Sequence, residues 1–145
     1  GVQTCALPIC SEVVVAKTPF GNIGLMVCYD LRFPELALTL RAQGANILTA
    51  PSAFTYTTGQ MHWQLLLQAR GMDSQCQVLG AAQQGWHGEK RQTWGHSGAT
   101  NSRGQLLSMV QDEGMQLITV PFDLDEQSKI RESMPLMQHR RLFQF

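Results

Sequence analysis

From residue 12 onward, short apolar runs alternate with turn residues, and longer periodic stretches interrupt them. Glu12 to Ala16 is rich in valine and predicts a strand. Thr18-Pro19-Phe20-Gly21-Asn22 supplies turn chemistry, because proline presets φ while glycine and asparagine tolerate φ > 0. Ile23 to Cys28 is apolar throughout and predicts a second strand, buried on both faces and forming a hairpin with the first. Pro34 suits the first turn of a helix, Leu36, Ala37, Leu40 and Ala42 give that helix an apolar stripe, and Gly44 ends it. Asn46 to Ala50, closed by Pro51, is the next predicted strand. The order β-β-α-β indicates an α/β architecture.

Ser52 to Gly59 reads as a polar loop bearing Phe54 and Tyr56. Gln60 to Ser74 is the strongest helix candidate, with Trp63, Leu66, Leu67, Arg70 and Met72 spaced around one side. Gln77 to Gln83 predicts a buried strand whose small residues let another element approach closely. Gln84 to Trp94 reads as a glycine- and charge-rich loop. Strands are expected near Ser97 to Thr100 and Gln105 to Val110, joined by a turn at Asn101 to Gly104, and again over Met115 to Phe122. Asp123 or Asp125 can cap a helix that runs to about Ser133, where Pro135 stops it. Leu142, Phe143 and Phe145, in a C-terminal stretch without clear period, need a surface to cover. That surface is read as another subunit, so a homo-oligomer, most simply a dimer, is expected of the full-length form.

Composition narrows the function classes. At 145 residues, with 43% hydrophobic and 15% charged side chains, the chain is one globular domain of ordinary size. Eleven basic and eleven acidic residues cancel and are scattered, which argues against a nucleic-acid surface. No apolar run approaches the roughly 20 residues that cross a bilayer, so no membrane partner is expected. The cysteines at 5, 10, 28 and 76 have no C-x-x-C spacing, and no histidine pair follows at zinc-finger distance. Neither a metal nor a cofactor is therefore expected, and the unpaired thiols point to a reducing, cytoplasmic location. Gly1 to Ser11 shows neither strand alternation nor helical period and reads as a leader foreign to a domain covering 12–145.

The candidate chemistry centres on Gly24-Leu-Met-Val-Cys28-Tyr-Asp-Leu-Arg32-Phe-Pro34-Glu35. A cysteine at the end of a buried strand, entering a sharp turn, stands where open α/β sheets place their sites. The Tyr29 N–H faces the same point and could stabilise an oxyanion after attack on a carbonyl. Asp30, Arg32 and Glu35 are close enough in sequence to form a charge network, and an outward arginine suits a carboxylate-bearing substrate. The bland alternative is a buried structural cysteine followed by a salt-bridged turn. A papain-like thiol–imidazole pair would need one of His62, His87, His96 or His139, and none stands in a triad context. His62 reads as a packing or pocket residue and His96 as a hydrogen-bonded core or rim residue.

These residues carry a resemblance. The run Gly24 to Glu35, with Ala50-Pro51-Ser52-Ala53-Phe54, His62-Trp63, Ala69-Arg70 and Gly95-His96-Ser97, resembles the nitrilase (carbon–nitrogen hydrolase) superfamily from about Glu12 to the end. Gln75-Cys76, Val78, Ala81-Ala82-Gln83, Gly85, His87 and the ending Gln138-His139-Arg140-Arg141 are similar to its deaminated glutathione amidase branch. The resemblance implies a four-layer αββα sandwich, here incomplete at the N-terminus, and a Glu–Lys–Cys triad without cofactor. Cys28 matches the nucleophile that forms a thioester acyl-enzyme with loss of ammonia, and Tyr29 the backbone oxyanion donor. Arg32, Phe54 and Thr58 match positions that meet the carboxylate end of a small amide, with Asp30 and Glu35 behind them. Gly71 and Asp73 stand where the family usually has alanine and glutamate, a change expected to touch a structural ion pair.

The glutamate and lysine of that triad fall upstream of the residues present, and Glu12 and Lys17 are in the wrong places to replace them. Three readings stay open: an amidase acting on a carboxylate-bearing amide such as deaminated glutathione, or on another amide in the manner of an omega-amidase; a catalytically inactive fragment; and a redox-sensing thiol protein. The last would need Cys76 to come close to Cys28.

Overall fold

The computed structural model describes residues 12–111 and 114–141. The expected 1–11 leader and the apolar Leu142, Phe143 and Phe145 lie outside the described residues. Strand β1 (Val15–Ala16) turns back into β2 (Ile23–Leu25), which leads through a 3-10 turn at Cys28–Arg32 into α1 (Pro34–Ala42). Then follow β3 (Ile47–Thr49), α2 (Tyr56–Ser74), β4 (Gln77–Gly80), β5 (Gln84–His87), β6 (Arg91–Trp94), β7 (Gly98–Thr100) and β8 (Leu106–Met109). Helices α3 (Leu124–Ser133) and α4 (Leu136–His139) close the described chain. None of these helices is long and apolar enough to cross a membrane.

Six strands make one mixed sheet in the order β1-β2-β3-β4-β7-β8, while β5 and β6 pair separately. The central pairs β2–β3 and β3–β4 are parallel, in register Ile23↔Ile47↔Gln77, and the β-α-β connections through α1 and α2 follow from that. The row Gly24, Leu48, Val78, Thr100 faces both helices, and Leu40, Trp63 and Leu67 pack onto it, all essentially solvent-free. Burying side chains of this size stabilises by about 1.5–3 kcal/mol each. Gly80 is where α2 comes closest: a Cβ there would lie 2.7 Å from the Trp63 ring and 2.8 Å from Leu67. The small residues expected to admit a neighbour do so.

Several expectations need correction. Strand β2 is not buried on both faces: Leu25 and Val27 are nearly half exposed, because both helices cover the same side of the sheet. Helix α2 begins at Tyr56, so the expected polar loop is half helix; Thr55 adopts an extended cap conformation and the Gly59 N–H already bonds the Thr55 carbonyl. The Gln84–Trp94 loop is the β5–β6 hairpin, in register Gln84↔Trp94 through His87↔Arg91. Met115 to Phe122 is not a strand, since no neighbour pairs with it among the described residues, and Met115 and Leu117 are fully exposed. Its end is tied down, as Gln77 Nε2 donates to the Pro121 carbonyl at 3.1 Å.

Helix α3 is capped by Asp123, whose Oδ1 accepts from the Asp125 and Glu126 N–H groups at 2.8 and 3.0 Å. It lies across the N-terminal ends of β3 and β4: Gln127 bonds Asn46 and Ser102, and Arg131 bonds the carbonyls of Ala45 and Gln75. The opposite, C-terminal ends of the parallel strands are left for the site.

Candidate active site

The parallel ladder runs past the formal strand ends. The Met26 N–H donates to Thr49 O at 3.0 Å, Cys28 N–H to Pro51 O at 2.9 Å, and Ser52 N–H to Ala81 O at 2.8 Å. At Cys28 the chain leaves the sheet with φ 49, a left-handed conformation that a side-chain-bearing residue adopts at a cost of order 1–3 kcal/mol. Two bonds pin the turn: Val27 N–H donates to Asp30 Oδ2 at 2.8 Å, and Asp30 N–H to Val27 O at 3.0 Å. None of the turn's hydrogen bonds among the described residues engages the Tyr29 N–H. Cys28 is a half-buried free thiol. A strained cysteine beside an unused amide, at the C-terminal ends of three parallel strands, is a geometry suited to nucleophilic attack on a carbonyl.

The turn also sets Arg32. Its guanidinium lies over the Tyr29 ring at 5.5 Å and the Phe54 ring at 5.6 Å, and its Nη2 is 3.3 Å from His62 Nδ1. Phe54, on the loop after β3, is held edge-on to Trp63 at 5.3 Å, and Trp63 Nε1 donates to His96 O at 2.7 Å. Arg32 therefore rests on aromatic faces with no carboxylate partner among the described residues. The expected charge network does not form. Asp30 directs its carboxylate to the Val27 N–H, and Glu35 stands exposed on the first turn of α1.

Cys28, Tyr29, Asp30 and Arg32 thus share one turn, and Phe54 is brought to them. Thr58 is half-buried on α2, one helical turn before His62 and so on the same face. His62 joins the arrangement through Arg32. His96 is a rim residue: its ring stacks on Trp94 at 4.0 Å and its Nδ1 is 2.8 Å from Trp94 O. The wall supplied by β5–β6 escaped the sequence reading. Trp94 meets Tyr56 edge-on at 5.1 Å, Trp94 N–H donates to Phe54 O at 3.0 Å, and Arg91 donates to Ala53 O at 3.2 Å. The signal was available as two four-residue runs flanking Gly88-Glu89-Lys90.

Cys76 does not approach Cys28. It precedes Gln77 at the N-terminal end of β4, whereas Cys28 follows the C-terminal end of β2, and the register sets Gln77 level with Ile23. Six strand positions separate them, about 20 Å at 3.3 Å per residue.

A family model described as carbon-nitrogen hydrolase matches residues 8–132. The chain belongs to the carbon–nitrogen hydrolase family. It is 49% identical over 125 residues to the nitrilase and fragile histidine triad fusion protein NitFhit of Drosophila melanogaster, covering 86% of this chain and 27% of that protein. It is 46% identical over 130 residues to the deaminated glutathione amidase of Yersinia enterocolitica, covering 90% and 45% respectively. The crystal structure of Saccharomyces cerevisiae Nit3, a nitrilase-superfamily member, superposes with a TM-score of 0.82 at 32% identity, covering 90% of this chain and 48% of that one. The α/β fold is accordingly that of the nitrilase superfamily, and this carbon–nitrogen hydrolase chain spans less than half the length of each of these three relatives.

The Arg70–Asp73 pair stands where the family comparison expected a structural ion pair. The neighbouring glycine has a local reason: a Cβ on Gly71 would lie 2.6 Å from Thr100 Oγ1 and 2.8 Å from the Asn101 carbonyl.

Proposed function

We propose that the protein is an amidase that releases ammonia from a small amide carrying a carboxylate, with deaminated glutathione as the expected substrate. The observation that carries this reading is Arg32, a guanidinium without a carboxylate partner among the described residues, held on two rings four residues beyond the strained Cys28. The Cys28 thiolate attacks the amide carbonyl, and the Tyr29 N–H donates to the oxygen as it becomes negative. Collapse of the tetrahedral adduct breaks the C–N bond; the nitrogen takes a proton and leaves as ammonia, and the acyl group remains on sulfur as a thioester. Water then attacks that thioester, yielding the free acid and regenerating the thiol. Arg32 holds the substrate's carboxylate through paired N–H donors, while Phe54 and Thr58 line the space beside it.

A general base and a second oxyanion donor are needed for this sequence. The resemblance assigns them to a glutamate and a lysine further upstream of Cys28 than Glu12 and Lys17, which stand in the wrong places to replace them. A second reading follows from the share of relatives covered: the 145 residues by themselves are an inactive piece of the enzyme. Loss of general-base help alone is typically worth 10²–10⁴-fold. Ammonia release from deaminated glutathione by the whole protein and by Cys28→Ala tests the first reading, and equal rates would overturn it. The same assay on these 145 residues tests the second, which robust turnover would refute. A small-molecule substrate, a cytoplasmic location and a homodimer belong to the same proposal.

A further inference from the structure

At the end of the sheet opposite Cys28, α1, α3 and α4 border a cavity of about 440 Å³ lined by Arg41, Gln75, Ser128, Arg131, Leu136 and Gln138. Arg131 is fixed in place: its Nε donates to Gln75 O at 3.2 Å, and its Nη2 donates to Ala45 O at 3.0 Å and Gln75 O at 3.1 Å. Nη1 takes no part in these bonds. Arg41, on the last turn of α1, has a buried Nε without a hydrogen-bond partner. Glu132 also lines the cavity, yet among the described residues neither arginine has a carboxylate within 4.0 Å.

Arg131 also reaches the buried Cys76 thiol, its Nη2 lying 3.5 Å from Sγ, yet two part-buried guanidiniums around one cavity with no carboxylate partner among the described residues are an unfavourable arrangement unless an anion joins them. Burial holds the pKa of each below its ordinary value, with Cys76 opposing the shift in both and the charge of Arg41 adding a smaller downward push on Arg131. The fixed fork of a guanidinium matches the two oxygens of a carboxylate or phosphate group. Ser128 and Gln138 add neutral donors at the rim.

We propose that this cavity is an oxyanion-binding site, in which Arg41 and Arg131 together hold the carboxylate or phosphate group of a small ligand. The site is remote from Cys28 and independent of the amidase reading, so either can fail without the other. The test is calorimetric titration of the protein with inorganic phosphate and, separately, acetate at constant ionic strength. It compares the unsubstituted protein with Arg41→Gln and with Arg103→Gln, a control at the exposed arginine of the Asn101–Gly104 turn. Saturable one-to-one binding of at least one anion is expected, weakened about tenfold or more in Arg41→Gln and unchanged in Arg103→Gln. Binding of phosphate alone assigns a phosphoryl ligand; binding of both assigns the shared oxyanion chemistry. No saturable binding of either, or equal binding in Arg41→Gln, overturns the proposal. Amide chemical-shift mapping on the unsubstituted protein guards against a variant that fails to fold. Shifts must appear at Ser128, Arg131 and Leu136, and shifts confined to other regions count against the site.

Discussion

Replacing Arg32 separates recognition of a substrate carboxylate from the chemistry at Cys28. The guanidinium is positioned by two ring faces at 5.5 and 5.6 Å and by His62 at 3.3 Å, with no acid to satisfy it among the described residues. A charge-assisted hydrogen bond to a ligand carboxylate contributes about 1.5–3 kcal/mol, and 1.4 kcal/mol is a factor of ten. Arg32→Ala should therefore lower kcat/KM for a carboxylate-bearing amide by about ten- to a hundredfold. For an uncharged amide of similar size the same substitution should change kcat/KM by no more than about threefold, because no carboxylate contact is lost. Arg32→Lys keeps the charge but not the fork or the stacking, and should fall between. The stability cost should be about 1–3 kcal/mol, since the cation–π contact with exposed Tyr29 is worth about 0.5–1 kcal/mol and the one with buried Phe54 up to about 2. Ammonia release measured on the two amides decides the matter. An equal loss on both would show that Arg32 serves the turn and not the substrate.

Other substitutions probe the framework. Gly71→Ala must push a methyl against Thr100 Oγ1 and the Asn101 carbonyl. It should destabilise by about 1–3 kcal/mol in urea unfolding, with unchanged stability contradicting the close approach. Asp123→Ala removes the acceptor for the Asp125 and Glu126 N–H groups and should cost about 1 kcal/mol by the same measurement. Cys76 gives a pH dependence: burial raises its thiol above the ordinary value of 9.0, with the Arg131 charge only partly opposing it. Above pH 9 the unfolded thiol gives up its proton while the native one keeps it, so this contribution is complete below pH 9 and declines as pH rises toward the native value. Melting temperatures under reducing conditions should fall less steeply from pH 9 to 10 in Cys76→Ala than in the unsubstituted protein. Parallel slopes would contradict the assignment.

Where one periodicity ruled, the sequence was a good guide. The buried Ala37 and Leu40 of α1 and the small residues beneath Trp63 follow from local pattern, though Ala42, expected on the same stripe, is exposed, and Gly80 shows why a small residue was needed. Tertiary choices were less visible. Ile23 to Cys28 looked buried on both faces because period alone cannot tell which side two crossover helices will cover. The β5–β6 hairpin was masked by glycines and charges that are themselves the turn. Met115 to Phe122 has strand composition without a neighbour to pair with among the described residues. At the site, the motif marked Cys28, Tyr29, Arg32 and Phe54, and the fold brings them together. It gave no hint that Asp30 would be consumed by Val27, that Glu35 would stay in solvent, or that His62 would meet Arg32 from thirty residues away. Arg41 and Arg131 are ninety positions apart, and only the packing of α3 against the strand ends reveals them as neighbours of one cavity.

The central claim is covalent catalysis by Cys28, and trapping the intermediate tests it most directly. The whole protein, quenched in acid during turnover of deaminated glutathione, is digested and its peptides are weighed by mass spectrometry. An acyl adduct, with the mass of the substrate less ammonia, should sit on the peptide containing Cys28 and be absent from Cys28→Ala. Steady turnover with the Cys28 peptide unmodified, or an adduct that survives in Cys28→Ala, would contradict it.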